Sequence, residues 1–461
     1  MRTRRLVATV AAAALALAAC GGDDGSGDGD GQADGGNDQG ATLRVPDDHE
    51  TIQAAVDAAE PGDLILISPG VYEEAVTVET DELTIRGLDR NEVILDGGFE
   101  RDNGIRVVGA DGVAIENMTA RNYTTNGFFW TGVEGYRGSY LTAYRNGDYG
   151  IYAFDSVGGL LEQSYASGSP DAGFYIGQCY PCDAVIDGVV SEHNGLGYSG
   201  TNSGGDLYIV NSTFRNNRAG IVPNSGSYEL CYPGRETTIV GNRVYDNNQP
   251  DTPAIDVAFD AMGNGVLVAG GVGNVIERNL VWDHDLTGIG LVPFPESDAT
   301  DVVPPESALD TPCAEARNQP TADPADIPDT VLWEPRHNQV RDNVVEDSRL
   351  ADIAVGTLGD ASGLGNCFAG NEHATSAPAD LESLAPCGED GEPAEESGDW
   401  TRGALDFGPF LAEKPPSTDY RRSPVPDDQE NMPDAAEAPP RPATARPEFP
   451  DLDAIEVPEP E

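Results

Sequence analysis

The sequence predicts an all-β solenoid, a parallel β-helix, and three observations predict it. Glycines recur at a step of about 23 residues: Gly104, Gly127, Gly150, Gly173, Gly197, Gly220, Gly265 and Gly288. Fixed self-similarity at this period is the signature of stacked repeats, and the wider gap between Gly220 and Gly265 reads as two steps. Short β-rich runs open at most of these glycines (GIRVV, GFFWT, GIYAF, GFYIG, GVLVA, GIGLV), with almost no helical spacing between them. Before most glycines a run ends in a turn residue: Asn122, Asn146, His193 with Asn194, Asn216, Asn247 and His284. Asn tolerates left-handed turns, and stacked Asn side chains satisfy neighbouring amides from coil to coil. Histidine in or beside this column, His193 or His284, is expected to serve turn hydrogen bonding rather than to act as a base.

The elements follow in order. Residues 1–19 have the form of a secretory signal: Arg2, Arg4 and Arg5 precede an apolar run too short to span a membrane stably. The run ends Leu17-Ala18-Ala19-Cys20. Residues 20–41 are rich in Gly, Asp, Asn, Gln and Ser and cannot bury apolar surface, so they read as a flexible acidic tether. Residues 42–98 read as a cap and first coils. Within them TIQAAVDAA places Ile52, Ala55, Val56 and Ala59 on one helical face, suited to covering the open end of a stack. Residues 99–295 carry the repeats. Residues 296–335 interrupt them with a Pro-, Asp- and Glu-rich insertion, of the kind that lies over one face of a solenoid. Residues 336–388 hold the last coils and a C-terminal closure. Residues 389–461 form an acidic, Pro-rich tail expected to be mostly disordered and to wrap the helix in part.

Two resemblances sharpen this. Leu17-Ala18-Ala19-Cys20 resembles the lipobox of bacterial lipoproteins, which implies acylation of Cys20 and anchoring on the outer face of the cell membrane. The run TIQAAVDAA, GDLILISPGVYEEAV, LTIRG and VILDG, together with the repeats to about residue 375, resembles the right-handed parallel β-helix proteins of the pectin-lyase-like superfamily. The copper-site accessory proteins and pectin methylesterases are among the similar groups. That resemblance implies a right-handed helix. It is poor for function, because the superfamily holds lyases, hydrolases, epimerases, esterases and non-enzymes. The NTD and GHG motifs of polygalacturonase-like hydrolases and the DPHD motif of alginate-epimerase-like enzymes do not occur in this sequence.

Eighty acidic residues face 26 basic ones, for a net charge of -54. Such a chain repels nucleic acid and anionic lipid surfaces, which leaves a lipid anchor as its route to a membrane. Its charge also opposes polyuronate binding unless calcium bridges the two. No other cofactor is implied. After Cys20, six cysteines remain, an even number that suits disulfides in an exported protein. Cys367 and Cys387 are expected to close the far end. The pairing of Cys179, Cys182, Cys231 and Cys313 stays open, with a disulfide preferred over a metal site at Cys179-Tyr-Pro-Cys182.

Candidate site residues come from ladders, since equal offsets from successive glycines stack. If Ile105, Phe128, Ile151, Phe174 and Tyr198 point inward, then Arg106, Phe129, Tyr152 and Tyr175 point outward. Phe129, Tyr152 and Tyr175 would form a flat aromatic strip fit for sugar rings, or pack on one another. Asp148 and Asp171 fall in adjacent coils. As a pair they would share a proton, bind a cation, or act as acid and nucleophile in sugar hydrolysis. The plain alternative is two solvated aspartates. The leading expectation is a lipoprotein that binds a glycan or envelope partner along its flank. The alternatives are a carbohydrate-active enzyme, a glycosidase or a lyase with an arginine base such as Arg145 or Arg215, and a structural or accessory protein.

Overall fold

In a computed structural model that describes residues 40–358, 363–388, 394 and 405–460, the chain is a right-handed parallel β-helix. Each coil contributes strands to three faces. Strands such as Ala184–Asp187 and Leu207–Val210 build the first face, Val190–Glu192 and Thr213–Arg215 the second, and Ile151–Phe154 and Ala172–Gly177 the third. The first two faces merge into one 21-stranded sheet because Val113–Arg121 and Glu134–Tyr144 run through the bend between them; the third face has 11 strands. The signal, Cys20 and most of the tether lie outside the described residues.

The repeating glycine has a steric reason. A Cβ on Gly127 would lie 2.7 Å from the carbonyl oxygen of Gly150, and one on Gly150 would lie 2.6 Å from that of Gly173. The next coil's backbone fills the space a side chain would need. One residue on, the inward ladder forms as the alternation requires: Ile105, Phe128, Ile151, Phe174, Tyr198, Ile221, Val266, Ile289 and Ile353 pair in register, and none is exposed. Helix α1 (Ile52–Ala58) caps the open N-terminal end. Thr51 Oγ1 accepts from the Ala54 N–H, and Ile52, Ala55 and Val56 are buried. At the far end the Cys367–Cys387 disulfide and the turn Leu381–Leu384 close the stack. The other cysteines pair Cys179–Cys182 and Cys231–Cys313.

Three expectations are corrected. The interval from Gly220 to Gly265 is one long coil, because Ala219–Asn224 pairs directly with Val266–Ala269. A loop, 225–236, and an excursion carrying helix α2 (Val257–Asp260) fill the extra length. The turn column divides into two. Asn122, His193 and Asn216 take left-handed backbone angles, while the next position, Asn194, Asn217, Asn247 and His284, is buried and hydrogen-bonds from coil to coil. His284 therefore belongs to the interior.

The third correction concerns the tail. Residues 405–460 lie against the helix as an extended strap. A Pro-rich chain offers carbonyls but few N–H groups, and arginines of the helix, Arg86, Arg90, Arg137 and Arg218 buried and Arg145 and Arg278 half-buried, supply the donors. Arg218 donates to the carbonyls of Pro415 and Pro416, Arg145 to Ser423, Arg90 to Glu430, Arg86 to Ala438 and Pro439, Arg137 to Arg441, and Arg278 to Leu452. Glu116, also buried, bridges Arg86 and Arg137.

The facing of the strands is testable at two β-branched positions of the third face. Ile151→Ala should cost about 2–5 kcal/mol, a core truncation, whereas Val108→Ala, on the outward side, should stay within about 0.5 kcal/mol. Urea unfolding of both variants checks this; similar losses would show the facing to be wrong.

Candidate functional site

Two columns meet at the corner between the second and third faces. Asp148 and Asp171 sit there one coil apart, and the Asp171 N–H donates to the Asp148 carbonyl at 3.2 Å. The register of parallel strands thus sets one carboxyl over the other at coil spacing. The residue after Asp148 is Tyr149, whose hydroxyl donates to Asp171 Oδ2 at 2.8 Å.

Phe129, Tyr152 and Tyr175 pair in register on the third face. They do not form a flat strip. Tyr152 is stacked between Phe129 (centroids 4.7 Å apart, 16° between planes) and Tyr149 (4.3 Å, 7°), and Tyr175 meets Tyr152 edge-on at 4.9 Å. Ladder spacing equals aromatic stacking distance, so the rings spend their faces on each other and Tyr152 has none left for a sugar. Tyr175 is only 1% exposed. Its hydroxyl donates to both carboxylate oxygens of Glu229 at 2.7 and 2.8 Å. The aromatic cluster is therefore a wall whose phenols hold two carboxyls, one through Tyr149 and one through Tyr175.

Glu229 comes from loop 225–236 and Asp256 from the start of α2. Neither falls on a repeat position. The one trace of them in the sequence is the over-long interval after Gly220. Asp256 has φ 38° and ψ -115°, a strained backbone for a residue with a side chain.

The electrostatics are one-sided. Burial pushes Asp148 up to about 6, aided by the charge of Asp256. Burial pushes Asp171 up to about 7; the Tyr149 hydroxyl opposes this, while Asp148 and Asp256 add to it. Glu229 is also pushed up to about 7 by burial, with the Tyr175 hydroxyl opposing and Asp171 adding. No cation is among the groups that shift these three carboxyls. Among the described residues no three His, Cys, Asp or Glu side chains are grouped to hold a metal ion. On the far side of this cluster α2 helps to line an apolar cavity of about 360 Å³, with Val222, Leu267, Phe294 and Phe407.

The candidate arginine bases are engaged elsewhere. Arg145 donates to the Ser423 carbonyl, and Arg215 pairs with Glu192 at 2.7 Å.

Residues 75–231 match the family described as right handed beta helix region. No curated protein matches the chain. Among solved structures it is similar to the A-module of the mannuronan C-5 epimerase AlgE4 of Azotobacter vinelandii, at 15% identity and a TM-score of 0.42, covering 70% of this chain and 90% of that one. It is also similar to an alginate lyase from Paenibacillus sp. str. FPU-7 (16%, 0.37, 54% of this chain and 89% of that one) and to pectate lyase Pel9A (14%, 0.39, 79% and 90%). At these identities and scores no residue role transfers to this chain.

The raised carboxyls have a signature in stability. The folded chain holds these protons up to pH 6–7, whereas unfolded carboxyls release them near pH 4. Their contribution is fully present below about pH 4 and is lost as pH rises through 6–7. Asp96, Glu192 and Asp301, which are held low, act in the opposite sense. The difference between variants therefore isolates the site. Asp171→Asn should gain roughly 1–3 kcal/mol over wild type at pH 8 and nothing at pH 4. A gain independent of pH in paired denaturant melts would show that Asp171 titrates normally.

Proposed function

We propose that this protein is a carbohydrate-active enzyme, a glycan hydrolase carried on an exported, lipid-anchored β-helix. One observation carries the catalytic part: Asp148 and Asp171 lie one coil apart beside the aromatic wall, Tyr149 binds Asp171 and Tyr175 binds Glu229, and burial raises all three carboxyls towards neutral pH with no cation among the groups that shift them. Sugar hydrolysis needs a carboxylic acid to protonate the leaving oxygen and a second, ionised carboxylate to activate water or to attack. Asp171, held by Tyr149, is the acid in this reading. Asp148, which ionises first, is the base or nucleophile. Glu229 raises the local negative potential and shares the proton load.

The same charge selects the substrate. Polyuronates would be repelled by these carboxyls and by the net charge of -54, so neutral or amino-sugar glycans are favoured. A lyase reading is weaker, since the repeats contain no lysine and Arg145 and Arg215 are occupied. Glycan binding without turnover is the second reading, favoured by Tyr228, which is 49% exposed beside Glu229.

Reducing-end release from neutral, amino-sugar and acidic polysaccharides tests this. Asp148→Asn and Asp171→Asn should each lower turnover by about 10²–10⁴-fold while leaving glycan binding in place. Binding without release by the wild type on every substrate would favour the binder.

The anchor rests on Leu17-Ala18-Ala19-Cys20 and the polar stretch behind it. Cys20→Ser should move the protein from the membrane fraction to the medium. A wild type without an acyl chain by mass spectrometry, or a mutant that stays membrane-bound, would exclude lipidation.

A further inference from the structure

Glu229 reaches the aromatic wall from a loop that has no repeat position to fix it. On the helix side the loop is held by Asn202, whose amide donates to the Gly226 and Glu229 carbonyls, and by Gln178, which accepts from the Leu230 N–H. The firmer grip comes from outside, from the insertion 296–335. Two residues before Glu229, Ser227 gives its N–H and its hydroxyl to the Glu296 carboxylate at 2.9–3.2 Å. Trp333 Nε1 donates to the same carboxylate at 2.8 Å. Glu296 is 4% exposed, so a buried carboxylate spends its acceptors on this loop and on the strand that pairs with its own. Thr300 adds two bonds to Ser227, each 2.7 Å. Two residues after Glu229, Cys231 is bonded to Cys313, the Tyr232 hydroxyl donates to Asp301, and Arg235 donates to the Thr311 carbonyl. Glu229 is thus bracketed on both sides by ties to one insertion. That insertion is itself anchored by the Cys313 N–H on the Tyr180 carbonyl and by Arg317 on Asp155.

We propose that Glu296 and the Cys231–Cys313 disulfide are positioning groups for Glu229, and that the insertion 296–335 completes the acid cluster by pressing this loop onto Tyr175. The proposal rests on reading the cluster as the functional site. Neither Glu296 nor the cysteines reach the site; they act through the loop. The groups facing Glu229 are Tyr175, Tyr152, Tyr228 and Asp171, and removal from that setting returns a carboxyl to its ordinary range.

The test is carboxyl NMR of the full chain labelled at Glu and Asp, with Glu229→Gln to assign the resonance. In wild type Glu229 should titrate near 7. In Cys231→Ser/Cys313→Ser, and separately in Glu296→Gln, its midpoint should fall towards the ordinary 4.5. Asp148, whose shift owes nothing to Glu229, should stay near 6. An unchanged Glu229 midpoint in both variants, with an intact melting transition, overturns the proposal. So does the failure of both variants to fold, which would make the insertion a prop of the whole helix. The readout needs no substrate, so a chain inactive on every glycan would sink the proposed function and leave this result standing.

Discussion

Everything in this protein depends on stacking in register. Each backbone strand hydrogen-bonds to the equivalent strand one coil away, so every side chain sits about 4.8 Å from its counterpart above and below. A column must therefore tolerate its own repetition. Aliphatic and aromatic side chains do so by packing, as along Ile105 to Ile353. Asparagines do so by passing one amide proton to the next oxygen, as in Asn242, Asn279, Asn343 and Asn371. Carboxylates do not, because like charges at that distance repel. At Asp148 and Asp171 the stack sets two carboxyls one coil apart in a buried corner; burial raises both above the usual carboxylate range, and the charge of Asp148 adds to the rise at Asp171.

The same rule decides what the aromatic ladder can do. Coil spacing matches ring-stacking distance, so Phe129 stacks on Tyr152 across the ladder, and Tyr149 covers the other face of Tyr152 from within the same coil. Their chemistry then lies in the phenol oxygens. Tyr149 and Tyr175 each end on a carboxyl, and each buries the group it holds. The wall is thus a device for desolvating acids, and burial is the largest cause of the raised carboxyls at Asp148, Asp171 and Glu229 alike.

What the sequence disclosed follows from the same periodicity. The glycine step, the inward ladder and the Asp148–Asp171 pair were legible because register turns an offset in sequence into a position in space. Glu229 and Asp256 were not legible, because both sit in insertions that leave the period and return to the site through tertiary contacts. The interval after Gly220 misled for that reason: an insertion close to one repeat in length mimics a repeat. Spacing alone does not tell which column His284 joins, since the left-handed turn residue and the buried amide are neighbours in sequence. The strap was misjudged because composition records its prolines and acids but not the arginines, hundreds of residues away, that receive its carbonyls.

The strap changes how such a molecule comes apart. A solenoid in which each coil touches only its neighbours can fray from an end, losing coils one at a time at a cost set by a single interface. Here the chain leaves the far end and packs at Gly356, then passes Arg218 and Arg145 and reaches Arg90 and Arg86 beside the first coils. It then turns back as far as Arg243. The coil of Arg86 and the late coil of Gly356 are joined by a second connection in parallel with the stack. The coils between Arg86 and Arg278 cannot separate without drawing the strap from arginines at several levels of the stack, so this stretch of the row is braced by a second connection and fraying is left to the coils outside it.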